Sequence, residues 1–233
     1  ITNAVLGALR DLCLPGASTV ELELAANRLL AANRSTAPFK NYEGFNHAIC
    51  VSINAEIVNG PPSRERILQP GDLVSIATAA EHRGIHAKAA RTFYIGEQPP
   101  EDVSRLLQGT ASVIQNAVSI APQCDTLNAL LAVVPETARQ FGLTVIAELG
   151  GAGIGKKLHD APPIPNDPAS LEAIVPLTSG LCFTLMPMFS LGTDVNCETH
   201  EDGWTLLTGD RALSAHFADT LLVGPNGLEV ITA

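Results

Sequence analysis

Positive charge is in short supply in this chain. Lysine and arginine total 14 against 24 aspartates and glutamates, a formal net charge of -10 with a pI near 5.0. Neutralising phosphates takes a concentrated basic face, so this balance excludes a nucleic-acid partner. The notable basic pair, Lys156 and Lys157, reads as a solvated edge. Cysteine pairs at metal-ligand spacing are missing as well. Cys13, Cys50, Cys124, Cys182 and Cys197 are odd in number and form no CxxC, which argues against a zinc site or a disulfide framework and for reduced thiols in a cytoplasmic setting. No apolar run approaches the roughly 18 residues of a membrane span, and no basic segment leads into an apolar block as a secretory signal would. Membrane partners are therefore not expected, and low-complexity tracts and short-period repeats are also lacking.

What remains is an apolar chain with ample core: 233 residues, 46% hydrophobic and 16% charged, a length that suits one domain over residues 1–233. Ser18-Thr19-Val20-Glu21 reads as a capping box before Leu22, Ala25, Ala26, Leu29 and Leu30, spaced as one helix face. Strand candidates follow at Ile49–Ile53, Leu73–Ile76 and Arg91–Ile95, punctuated by Gly60-Pro61-Pro62 and Pro70-Gly71. Beyond Pro99-Pro100 the order repeats. Val103–Ala117 and Leu127–Phe141 look helical, the second ending at Gly142, and strands are predicted at Leu143–Ala147, Leu181–Met186, Trp204–Leu207 and Ala215–Val223. The fold class is α+β, in two helix-then-strand halves of about residues 1–99 and 100–233.

Several blocks carry a family likeness. Tyr42–Gly96 holds a Tyr-containing loop, the strand AICVSIN, a V-N-G-P-P turn, GDLVSIA and the hairpin GIHAKAARTF; Gly150–Pro165 reads GGAGIGKKLHDAPPIP; Phe183–Met188 reads FTLMPM; and Asp202–Val223 reads DGWTLLTGDRALSAHFADTLLV. In this order, over nearly the whole chain, they resemble the methionine aminopeptidases. The resemblance implies the pita-bread fold, a pseudo-twofold arrangement in which a curved, mostly antiparallel sheet is backed by helices and holds the site on its concave face. It also implies five metal-ligand positions, and these are Ala77, Lys88, Ala152, Met186 and Ala218. Divalent ions at such sites need carboxylate and imidazole donors, so neither a metal nor any other cofactor is expected and a metallo-aminopeptidase is not.

The substrate slot that the resemblance implies falls on Phe39, Tyr42, Phe45, Cys50, Met186, Met188 and Trp204, with Asn59, His86, Lys88 and His159 as its polar groups. His159 matches the family's substrate-facing imidazole, and Asn59 replaces another. By strand alternation His86 shares a face with Lys88. Lys88, in the vacated metal cavity, would hold a carboxylate, polarise a carbonyl or serve as base, and Lys88 with His159 form the candidate catalytic pair. Glu43 reads as a carboxylate on the rim, and His47, His82, His200 and His216 read as surface or loop residues. The expectation is a metal-independent biosynthetic enzyme acting on a small amino-acid-like or aromatic substrate, with amine–carbonyl condensation or Pictet-Spengler-type cyclisation as the reaction named. Its alternative is a catalytically inactive homologue that binds a ligand or protein. A small-molecule substrate is the expected partner, and a homodimer is the assembly considered.

Overall fold

The computed structural model describes residues 1–194 and 196–233. Helices α1 (Thr2–Arg10) and α2 (Thr19–Ala32) come first, then strands β1 (Ile49–Ile53), β2 (Glu56–Val58), β3 (Leu73–His82) and β4 (Ile85–Tyr94). Helices α3 (Glu101–Ile120), α4 (Leu127–Leu131) and α5 (Val133–Phe141) precede β5 (Thr144–Val145), β6 (Gly150–Gly153) and β7 (Asp160–Pro165). The last strands are β8 (Cys182–Leu185), β9 (Met188–Ser190), β10 (Cys197–Thr199), β11 (Leu206–Thr208), β12 (Ser214–His216), β13 (Asp219–Gly224) and β14 (Gly227–Val230). Among the described residues no helix is long and apolar enough to cross a membrane.

Local chemistry explains most of these limits. At the start of α2 the Glu21 carboxylate accepts from the Ser18 N–H at 2.7 Å and from its hydroxyl at 2.8 Å, the expected capping interaction. The single helix predicted over 127–141 is two. Pro135 has no N–H to bond the carbonyl of Leu131, so the chain breaks at Ala132 and restarts as α5. Gly142 ends α5 in the left-handed conformation at φ 58°, as its position predicts. The strand predicted over Ala215–Val223 is interrupted between β12 and β13, and α1, β9 and β14 lie outside the predicted elements. Strand β6 is squeezed between β7 and β8, and a Cβ on Gly151 would run into the carbonyl oxygen of Thr184.

The strands form four groups, in the orders β1-β3-β4, β10-β11-β2, β12-β9-β5 and β14-β13-β8-β6-β7, and every pairing is antiparallel. A bridge between Ala90 and Ala218 joins β4 to the start of β13, so the first sheet continues into the last. Two apolar clusters back this surface. One gathers Leu6, Leu9, Leu22 and Leu30 of α1 and α2 over Ile49, Val74 and Ile76; the other packs Leu106, Val113, Leu130 and Val134 of the later helices against Phe183, Phe189 and Leu221. A third cluster, with Phe39, Phe45, Cys50, Ala77, Ala90, Met186, Met188 and Ala218, draws on both halves of the chain. The candidate site opens there.

Candidate functional site

Two threonines organise the seam between β4 and the final strands. Thr220 accepts from the Lys88 N–H and donates to the Lys88 carbonyl, both at 2.9 Å. Thr92 does the same for His216, again at 2.9 Å in each direction, and Ser75 meets it from β3 at 2.8 Å. Between these clamps lies the Ala90–Ala218 pair, with reciprocal N–H to carbonyl bonds of 3.0 Å. Beside it Arg91 Nη2 contacts Asp219 Oδ1 at 2.8 Å while its Nη1 donates to the Ala218 carbonyl. The two stretches share one pattern: Lys88-Ala89-Ala90-Arg91-Thr92 and His216-Phe217-Ala218-Asp219-Thr220. Because the strands run antiparallel, each threonine faces the first residue of the other stretch. Lys88 and His216 thus become counterparts across the seam, and both line one cavity.

That cavity encloses about 240 Å³. Ala77, Met186 and Met188 form an apolar surface beside Lys88, whose Nζ lies 5.5 Å from the centre of the Phe39 ring in a cation–π contact. Burial disfavours the ammonium, so the Lys88 pKa is lowered to about 8, although Cys50 acts slightly against the shift. The same burial pushes the Cys50 thiol up to about 12. His216 is 2% exposed, and its Nε2 has no partner among the described residues. Burial first and the Lys88 charge second lower its pKa to about 3, which holds it neutral. The surface position expected for His216 is therefore corrected. Its β12 strand is covered on one side by β9 and its backbone is gripped by Thr92. The recurring x-x-A-x-T pattern was the sequence signal that could have placed it.

Phe45 meets Trp204 edge-on at 5.2 Å, and these two rings form another wall. At the mouth Tyr42 Oη lies 2.9 Å from His159 Nδ1, with the rings 5.0 Å apart and T-shaped. His159 is exposed at the outer surface, yet its ring is partly desolvated, and that together with the Lys88 charge lowers its pKa to about 4. Asn59 and Glu43 also line the cavity, both at positive φ, 63° and 50°. Phe39, Tyr42, Phe45, Cys50, Asn59, Lys88, His159, Met186, Met188 and Trp204 thus converge on one space. His86 does not join them: its N–H and Nδ1 both engage the Gly155 carbonyl, at 2.7 and 3.0 Å, and it faces a separate surface depression. Strand alternation puts it on the face of Lys88, but β4 runs on past the rim of the cavity towards its hairpin at Arg83-Gly84. Of the five positions that the family resemblance assigns to ligands, Ala77, Lys88 and Met186 line the cavity, Ala218 is fully buried against Ala90, and Ala152 of β6 pairs with Pro163 of β7. Among the described residues no group of three or more histidines, cysteines, aspartates or glutamates is placed to hold a metal ion.

The chain matches the pattern of metallopeptidase family M24 over residues 1–225. It belongs to that family. The methionine aminopeptidase of Clostridium acetobutylicum is 32% identical over 234 residues, which cover all of this chain and 92% of that protein; the enzyme of Aquifex aeolicus is also 32% identical, over 239 residues, with the same coverage. The crystal structure of the Thermotoga maritima methionine aminopeptidase superposes with a TM-score of 0.93 at 32% identity, covering 99% of this chain and 92% of the other. For the Rickettsia prowazekii enzyme the TM-score is 0.92 at 27% identity, covering 100% of this chain and 92% of that one. The M24 pita-bread fold is thereby established. The condensation or cyclisation enzyme expected from the sequence is corrected: relatives matching the whole chain are named methionine aminopeptidases and point to a peptidase. That expectation turned on a handful of side chains, whereas the likeness runs over the whole length of the chain.

Proposed function

We propose that the cavity receives one amino-acid residue, at the end of a peptide or free, apolar side chain first, and that it does so without a pair of divalent ions. The Lys88 ammonium beside Ala77 and Met186 carries this reading. At the five positions to which the family resemblance assigns ligands, methyl groups donate nothing, a thioether is a poor partner for hard or borderline ions, and an ammonium repels a cation. The metal pair therefore does not fit the residues present. The apolar lining does fit a residue such as the methionine of the relatives' name. Phe45, Met188 and Trp204 offer apolar and sulfur-bearing surface, and about 240 Å³ suits one residue better than a drug-sized ligand. Tyr42, Asn59 and His159 add neutral hydrogen-bonding groups at the opening.

The test is calorimetric titration with a methionine-initiated tripeptide and with L-methionine, in chelator and in added cobalt or manganese, alongside metal analysis of the dialysed protein. Binding of either compound, unchanged by chelator and with no retained ion, is expected. Stoichiometric metal, or methionine release that requires an added ion, would overturn the metal-free reading.

A further inference from the structure

Among the described residues Lys88 has no counter-charge. None of the ion pairs among the described residues includes it, and its hydrogen bonds with Thr220 use only backbone atoms. The acidic side chain lining the cavity, Glu43, lies exposed on the entrance loop. A cation held among Phe39, Ala77 and Met186 is costly unless an anion joins it, and a ligand is the remaining source of one. Across the seam, at the counterpart position, the neutral His216 keeps a buried Nε2 with no partner among the described residues. One cation inside the cavity, with Tyr42, Asn59, His159 and His216 as hydrogen-bonding groups that carry no charge, suits a singly charged ligand. A phosphate would call for the several donors of an amide nest or an arginine fork, whereas a carboxylate is satisfied by fewer.

We infer that the site selects a carboxylate: its ligand joins an apolar side chain to a carboxylate that pairs with Lys88 Nζ. This rests on the reading above that the cavity takes a single residue, and it specifies which end of that residue faces inward. An α-ammonium directed at Lys88 would be repelled at short range in a low-dielectric pocket, so an amine-first approach is opposed. Of the two charged ends, the carboxylate follows the apolar side chain inward, and free acids are preferred over the blocked or amino-terminal residues of longer peptides.

Three matched probes separate the possibilities: N-acetyl-L-methionine, which carries only the carboxylate; N-acetyl-L-methioninamide, which is uncharged; and L-methioninamide, which carries only the ammonium. Calorimetric titration at neutral pH should show the carboxylate at least tenfold tighter than the uncharged amide, with the ammonium compound weakest. Lys88→Met should abolish this preference and Lys88→Arg should keep most of it, with each variant's fold checked by circular dichroism. The wild-type ranking needs no variant and stands if Lys88→Met fails to fold. Equal binding of the three probes would overturn the charge selection while leaving the single-residue pocket intact. Failure of all three, and of L-methionine and the tripeptide as well, would overturn both.

Discussion

On β12 the imidazole of His216 is shut away from water beside a lysine cation, and that position sets a pH dependence. Between its ordinary pKa of 6.5 and about 3 the unfolded chain takes up a proton that the folded chain refuses, so this residue makes stability fall as pH drops through that window. His216→Gln should therefore flatten the loss of melting temperature between about pH 6.5 and 4 relative to wild type, as differential scanning fluorimetry would show; an unchanged slope would refute the buried-neutral assignment. Lys88 acts at the other end of the scale. With its pKa lowered from 10.5 to about 8, it disfavours the folded state most below about 8, where both states hold the proton, and this cost is relieved as pH rises from about 8 to 10.5, so stability increases across that window. The same titration would weaken carboxylate binding above about 8, with Tyr42, Glu43, Cys50, His159 and His216 as the other ionisable groups lining the cavity. At this scale Lys88, Trp204 and the two methionines could be assigned to the pocket by likeness of motif, whereas for His216 the signal was the x-x-A-x-T pattern it shares with Lys88. Its neighbours in space come from β4 and β9, far away in sequence.

Among the elements, α2 is tied to β1 by a group that sequence patterning gives no reason to single out. Glu23, 7% exposed, accepts from the Ala48 N–H at 2.9 and 3.1 Å, from the Ile49 N–H at 3.2 Å and from the Asn27 amide at 2.9 Å. These bonds hold the start of β1, the strand that carries Cys50 into the cavity. Glu23→Ala leaves two buried N–H groups unpaired and should cost about 2 kcal/mol, read from the midpoint of urea unfolding; a loss below about 0.5 kcal/mol would mean that water replaces the carboxylate. Helix and strand segments with a clear period, such as α2, β1 and α3, were legible in the chain. The break between α4 and α5 turned on one missing N–H at Pro135, and the short strands β9 and β12 offer too few residues for a period to appear.

For the whole molecule, the decisive contact is the seam where the first sheet meets the last. Arg91 and Asp219 pair there with side chains 22% and 8% exposed, and Thr232 donates to the same Asp219 oxygen at 2.7 Å. Asp219→Asn leaves the guanidinium without its counter-charge and should destabilise by about 3 kcal/mol, measured by chemical denaturation. Because Thr220 is the next residue and clamps Lys88, the substitution should also weaken binding of N-acetyl-L-methionine. Preserved stability together with preserved affinity would show that the seam does not position the cavity.

The residues alone determined the family, the α+β class and most of the pocket wall, because these depend on local periodicity, turn chemistry and motifs that lie contiguously in the chain. Likewise, which side chains stand at the five positions that the family resemblance assigns to ligands can be read without any coordinates. Only the tertiary structure decided that Lys88 has no counter-charge among the described residues, that His216 is its buried counterpart, and that His86 turns away to Gly155. Burial and electrostatic partnership are properties of the space between strands, and in this chain that space is closed by β4 and β13, whose paired residues Ala90 and Ala218 lie more than a hundred positions apart.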